Sequence, residues 1–358
     1  MTGRGVDQIL PHSVHPHLFE PYLSNAREYV RFAEKHGGKH FHLPMDYDYI
    51  WGDALEELSR LQPDLRIINL ETAVTTSEHH QPDKAIHYRM HPANVSVLTA
   101  AAIDCCVLAN NHVLDWGYSG LSETIKSLEN SGIATVGAGD SNVKASAPAI
   151  LMTQDKGRLI IFAYGMKNSG VPPAWAAGQN RPGVNYLEDF SKHSLENICQ
   201  HVGSKKREKD VVVVSLHWGE NWNYDISSAQ RDFAHHLIDL AGIDIIYGHS
   251  SHHVKGIEVY HEHLVLYGCG DFINDYEGIS GYEKYRGDLS IMYFPTLDVT
   301  NGQLLCLTMI PTYIHMFKVN RASEEDAQWL FEKLNTMGKT LGTSISQQTD
   351  GSFILAWQ

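Results

Sequence analysis

Short apolar runs recur along the chain, each ending at a polar or charged side chain, and several are followed by residues at helical spacing. Arg66–Leu70 (RIINL) stops at Glu71, and Ile103–Leu108 (IDCCVL) stops at Ala109, Asn110, Asn111 and His112. Between Gly120 and Asn130 the apolar positions Leu121, Ile125 and Leu128 predict a helix, which Ser131 and Gly132 end. Leu159–Tyr164 predicts a strand. Val211–Leu216 is nearly all valine, the pattern of a strand covered on both faces, and it runs into His217. A helix over Ser227–Ala241 leads to a strand over Ile243–Tyr247 that ends at Gly248 and His249. Leu264–Tyr267 and Leu289–Phe294 read as further strands, Ser323–Met337 as a helix and Phe353–Trp357 as a closing strand. Tyr22–His42 reads as a helical insertion near the N-terminus, and Asn168–Gly183 as a long loop placed to cover a site.

Strands alternating with helices predict a layered α/β fold. Glu71, Asn111, His112, His217 and His249 all stand at or just after strand ends. Ligand crevices of open α/β sheets lie outside those carboxyl ends, so one shared site is expected there. The length of 358 residues suits one large α/β domain, and no internal boundary stands out over 1–358.

A net charge of −14 excludes a general nucleic-acid binder, because neutralising phosphates needs a positive surface. The 22 histidines supply imidazole ligands in quantity, although pairs such as His79–His80 and His235–His236 read as ordinary surface residues. Five cysteines, odd in number and without CxxC spacing, fit a reducing compartment better than a disulfide framework. No stretch reaches the roughly 20 apolar residues of a membrane span, and Met1–His12 lacks the apolar centre of a signal peptide. The expected location is cytoplasmic.

The ordered series Asn69-Leu70-Glu71, Asn110-Asn111-His112, His217-Trp218-Gly219-Glu220 and Gly248–His252 resembles the CapA, or poly-γ-glutamate-synthesis, family. That family is similar to the calcineurin-like metallophosphoesterases. The resemblance runs from Met1 to about Thr308. It implies a layered α/β sandwich holding one or two divalent ions (Mn, Zn or Fe). Glu71 would bridge the ions, Asn111, His217 and His249 would join the second, and His252 would turn to the first. Metal-bound hydroxide would then attack, while His112 protonates the leaving oxygen or steadies its charge. Each residue also has a plainer reading: Glu71 as a capping carboxylate, Asn111 as a turn residue, His217 as a satisfied core histidine.

Two departures from the family pattern stand out. Met1-Thr2-Gly3-Arg4 looks like the tail of a strand motif, Gly-Asp-x-Met, whose Asp is a metal ligand; a truncated or misplaced start is expected. The last loop reads Ser250-Ser251-His252 where much of the family has two histidines around a proline, which puts a two-ion site in doubt. Asp271, in Gly270-Asp271-Phe272, is the candidate partner that orients a ligating imidazole. Trp218, Glu220 and His253 are candidate substrate contacts, and Arg89 and Arg286 are the arginines suited to grip a carboxylate or phosphate.

The leading expectation is a metal-dependent hydrolase acting on a phosphoester or on a peptide or γ-glutamyl bond. A metal-dependent peptide epimerase or isomerase and a non-enzymatic capsule-assembly component are the alternatives.

Overall fold

The computed structural model describes residues 1–82, 84–153 and 156–358. Its middle layer is a seven-stranded sheet that runs Tyr186–Leu187, Gly157–Met166, Val211–His217, Ile245–His249, His263–Leu266 and Ile257–Tyr260, with Ala149–Thr153 paired to Gly157–Met166. Its central strands are parallel; Val211–Val214 all pair with Leu159–Phe162, and Val213 and Val214 also pair with Ile245 and Ile246 on the other side. Side chains of a strand point alternately to opposite faces, and here the two faces feed two different cores. Ile160, Phe162, Val212, Val214 and Ile246 pack beneath the helices Lys192–Gly203 and Ser228–Ala241. Ile161, Ala163, Val213, Ile245 and Leu264 pack on the other side, in the larger core. This double coverage is why the strand opens with four valines.

Two further sheets share that larger core. One is short and parallel, in the order Ile67–Asn69, Cys105–Val107, Ala134–Val136, with the helix Gly117–Asn130 contributing Leu121 and Leu128. The other is antiparallel, with Leu289–Leu297, Leu304–His315, Phe353–Trp357 and Thr343–Gln347 in order and Lys318–Arg321 on the side. The helix Glu324–Gly338 belongs to this C-terminal part and buries Leu330 and Leu334.

The helical insertion is a helix over Arg27–Gly37, closed by Gly38 at φ 64°, a left-handed position that glycine takes without penalty. The helix expected over Ser227–Ala241 has a reciprocal cap, Ser227 and Gln230 each bonding the other's backbone nitrogen. The strand expected over Ile243–Tyr247 instead spans Ile245–His249, so His249 is its last residue. The expected loop Asn168–Gly183 holds a tight helical turn at Pro173–Trp175, next to another at Lys167–Ser169. No described helix is long and apolar enough to cross a membrane, and all five cysteines are free.

Candidate metal centre

Parallel pairing places the strand-end residues together. His217 lies directly opposite His249 across two neighbouring strands, and Ser215 stands two residues before His217 on the same face. Nδ1 of His217 therefore meets Nδ1 of His249 at 2.6 Å, and Nε2 of His249 meets Oγ of Ser215 at 2.7 Å. With both nitrogens of His249 engaged, the proton order follows. Oδ1 of Asn111 can only accept, so here Nε2–H of His217 donates to it, Nδ1 of His217 accepts from Nδ1–H of His249, and Nε2 of His249 accepts from the Ser215 hydroxyl. Both rings are buried, and burial first of all holds both pKa values well below the ordinary histidine value, so both are neutral.

Nε2 of His217 faces two side-chain oxygens. Oδ1 of Asn111 lies 3.2 Å from its Nε2 and Oε1 of Glu71 lies 3.9 Å away. Glu71 is steered by the Asn69 amide, which donates to its other oxygen at 2.9 Å. The turn carrying Asn111 and His112 is tied to the first strand by the Asn110 amide, bonded to Asn69 Oδ1 and to the Leu70 carbonyl. Ser169 donates to the His217 carbonyl at 2.6 Å, and Gly170 packs so closely on Asn111 that a Cβ there would come within 3.0 Å of its amide nitrogen. The long loop thus covers Asn111, as its position in sequence suggested.

His252 stands apart from this trio in its chemistry. Nδ1 of His252 faces both oxygens of Asp271 at 3.0 Å, and its Nε2 faces the Asn221 amide at 3.1 Å. Burial alone would depress the pKa of His252; the carboxylate of Asp271 outweighs it and raises the value. Burial likewise opposes the Asp271 charge, but His252 holds its pKa below the ordinary range. The two directions agree on a charged pair. The Asn274 amide and the buried Met1 nitrogen, bonded to the Ile273 carbonyl at 2.6 Å, complete this corner.

His112 lies beside Asn111, with Nδ1 2.7 Å from Oδ2 of Asp115. Asp115 and Lys84, which bonds the same carboxylate, are absent from the sequence reading. Asp115 had a legible signal in its spacing of three from His112; Lys84 had none, because only the fold brings its loop there.

The other candidates fall elsewhere. Trp218 is buried and stacked on Tyr267, with its Nε1 bonded to the Tyr267 carbonyl, so it packs the helical core. Glu220 is exposed. The imidazole of His253 is buried among Trp222, Tyr224 and Tyr285, behind His252. Arg89 lies over the Trp116 ring at 3.8 Å and donates to the carbonyls of Ser77 and His15. Arg286 is tied to Asp288 and Asp326. Both arginines are engaged within the protein. A surface cavity of about 460 Å³, lined by Leu55, Leu58, Gln62, Arg66 and Ala101, lies at the opposite end of the short sheet from Glu71.

Among the described residues no three His, Cys, Asp or Glu side chains form a ligand group by themselves. Glu71, Asn111 and His217 form a trio only with an amide oxygen counted. One carboxylate, one amide oxygen and one neutral imidazole suit a hard-to-borderline cation such as Mn, Zn or Fe. The donor set therefore fits one ion, with His249 supporting His217 from behind.

Residues 1–276, which hold every member of both clusters, match the family model described as bacterial capsule synthesis protein PGA_cap. The chain belongs to this family. A PGA_cap relative from Mycobacterium tuberculosis, named a probable polyglutamine synthesis accessory protein, is 41% identical over 351 residues, covering 98% of this chain and 92% of that protein. The PGA biosynthesis protein CapA of Bacillus subtilis is 31% identical over 227 residues, 63% of this chain and 56% of its own length. The capsule biosynthesis protein CapA of Bacillus anthracis is 30% identical over 217 residues, 60% and 50% of the two chains. Arg286 lies outside the region matched to PGA_cap.

Proposed function

We propose that the chain is a metal-dependent hydrolase on a calcineurin-like layered sandwich, acting on a phosphoester or on the γ-glutamyl bond of an acidic polymer. One observation carries the reading: Glu71 Oε1 and Asn111 Oδ1 lie 3.9 and 3.2 Å from Nε2 of His217, with His112 next in chain to Asn111. Glu71, Asn111 and His217 would hold the ion. When bound, it would polarise the scissile group and make water a nucleophile near neutral pH. The chain's own residues do the rest. The His249–Ser215 relay can reverse, moving the His217 proton to Nδ1 and freeing Nε2 for the ion. Asp115 takes Nδ1 of His112, which leaves Nε2 as the nitrogen able to exchange a proton with a leaving group. Ser169 and Gly170 cover Asn111 and limit water there.

The γ-glutamyl substrate class draws support from the names of the relatives, which refer to polyglutamine or PGA synthesis. The test is metal analysis of the purified protein by mass spectrometry, followed by assay with an aryl phosphate and with oligo-γ-glutamate. Bound Mn, Zn or Fe and turnover of either substrate, both lost on chelation, are expected. A protein that carries no divalent metal and gains none on soaking sinks the proposal and leaves the assembly role. Deuterium uptake from solvent without cleavage replaces hydrolysis by epimerisation.

A further inference from the structure

Lys84 is an unusual residue for its surroundings. Its ammonium is mostly buried, with the side chain 20% exposed, and it touches three groups of one turn. It bonds the Asn111 carbonyl and Oδ1 of Asp115, and it lies 3.0 Å from Nδ1 of His112. The segment that delivers it is fixed on both sides by the same aspartate. Gln81 donates its backbone N–H to the Asp115 carbonyl at 2.7 Å, and Tyr88 donates its own to Oδ2 at 2.7 Å. His87 closes the segment on itself by meeting the Gln81 carbonyl at 2.8 Å. Above the ammonium lies the Trp175 ring, 5.3 Å away, on the loop that covers Asn111.

We propose that Lys84 is the positioning residue of the site, a single cation that sets the Asn111 peptide, the Asp115 carboxylate and the His112 ring in one arrangement. This rests on the metal-dependent reading for its effect on turnover, but not for its effect on His112. Geometry gives the reason. Asp115 receives three donors, Lys84 on one oxygen and Tyr88 N–H and His112 Nδ1–H on the other. With Oδ1 occupied by the ammonium, the carboxylate cannot rotate without breaking an ion pair, so Oδ2 stays aimed at Nδ1. The bond to the Asn111 carbonyl fixes the backbone from which the Asn111 side chain reaches His217. One residue from a separate loop thus couples the candidate ligand to the candidate proton carrier. Side chains that orient such groups change metal affinity or activity by about 10–100-fold when removed.

The test compares Lys84→Met with wild type in the full chain, by imidazole ¹⁵N shifts of His112 without metal, by Mn affinity, and by kcat and KM. Lys84→Met is expected to mix the tautomers of His112, to weaken Mn binding about tenfold and to lower kcat with KM little changed. Lys84→Arg, which keeps a cation, is expected to recover part of each. Lys84→Met strands a buried carboxylate; if it does not fold, Lys84→Gln, which loses the charge but can still hydrogen-bond Asp115, carries the same readouts. Unchanged His112 shifts together with unchanged Mn affinity would overturn the proposal. If wild type binds no metal but the His112 tautomer still depends on Lys84, the hydrolase reading fails and this inference stands.

Discussion

Two histidine clusters sit at the same rim of the molecule, equally buried, and carry opposite charge states. His217 and His249 face each other and a serine hydroxyl, so burial wins and both stay neutral. His252 faces the carboxylate of Asp271, so the counter-charge wins and the ring is held protonated. Burial sets only the cost of charge; the partner decides whether that cost is met. The first cluster can therefore free Nε2 of His217 by reversing its relay through His249 and Ser215, whereas the Nδ1 proton of His252 is tied to Asp271. A family resemblance implies all three rings as ligands; of the three, His217 is the one whose ring nitrogen faces Glu71 and Asn111.

The largest effect that would break this contrast is on stability. Asp271→Asn leaves a buried imidazole without its counter-charge, and urea unfolding of the metal-free protein should show a loss of about 3–5 kcal/mol. A loss below about 1 kcal/mol would mean that the pair is not charged. Next comes His217→Ala, for which calorimetry should show Mn or Zn affinity falling by at least about a hundredfold, more than a supporting residue usually costs. Retained affinity would move the ion elsewhere. Ser215→Ala sharpens the comparison further. It removes the hydroxyl bonded to Nε2 of His249, and a loss of about tenfold in metal affinity is expected with the fold intact.

The pH dependence of unfolding separates the clusters by sign. His217 and His249 have folded pKa values below the ordinary histidine value of about 6.5, so their contribution is present above that pH and is lost as pH falls. His252 has a raised value, so its contribution is present below about 6.5 and is lost as pH rises through its folded pKa. In chelator-treated protein, Asp271→Asn should flatten the alkaline side of the stability profile and also remove the acid loss below about 4 that comes from the depressed pKa of Asp271 itself. An unaltered alkaline side would contradict the assignment. The smallest effect belongs to exposed Glu220: Glu220→Gln should change stability by no more than about 0.5 kcal/mol and leave Mn affinity as it was.

Much of this was readable before folding. The valine run Val211–Val214 announces a doubly covered strand, and a strand of that kind ending in His217 places an imidazole at a rim. Glu71 and Asn111 are legible for the same reason. What the sequence leaves open is depth within the site. Whether His249 stands beside His217 or behind it depends on register between neighbouring strands, a long-range pairing with no local trace. Lys84 lies 28 residues before His112 on an irregular segment, so no periodicity points to it. Arg89 and Arg286 show the converse. Chemistry suited to an anion is visible in the letters, but the carbonyls and carboxylates that occupy those guanidiniums appear only in three dimensions.

The strand Val211–His217 also works as a ruler. Its alternate residues feed separate cores, and its last one enters the candidate metal site. Deleting or inserting a single residue between Val211 and Ser215 would reverse the facing of every side chain beyond the change. Valines would swap cores, and Ser215 and His217 would turn away from His249. Length changes in this family should therefore collect in the loops after Glu71 and Met166, while this seven-residue segment tolerates exchange of one apolar residue for another but no change in count.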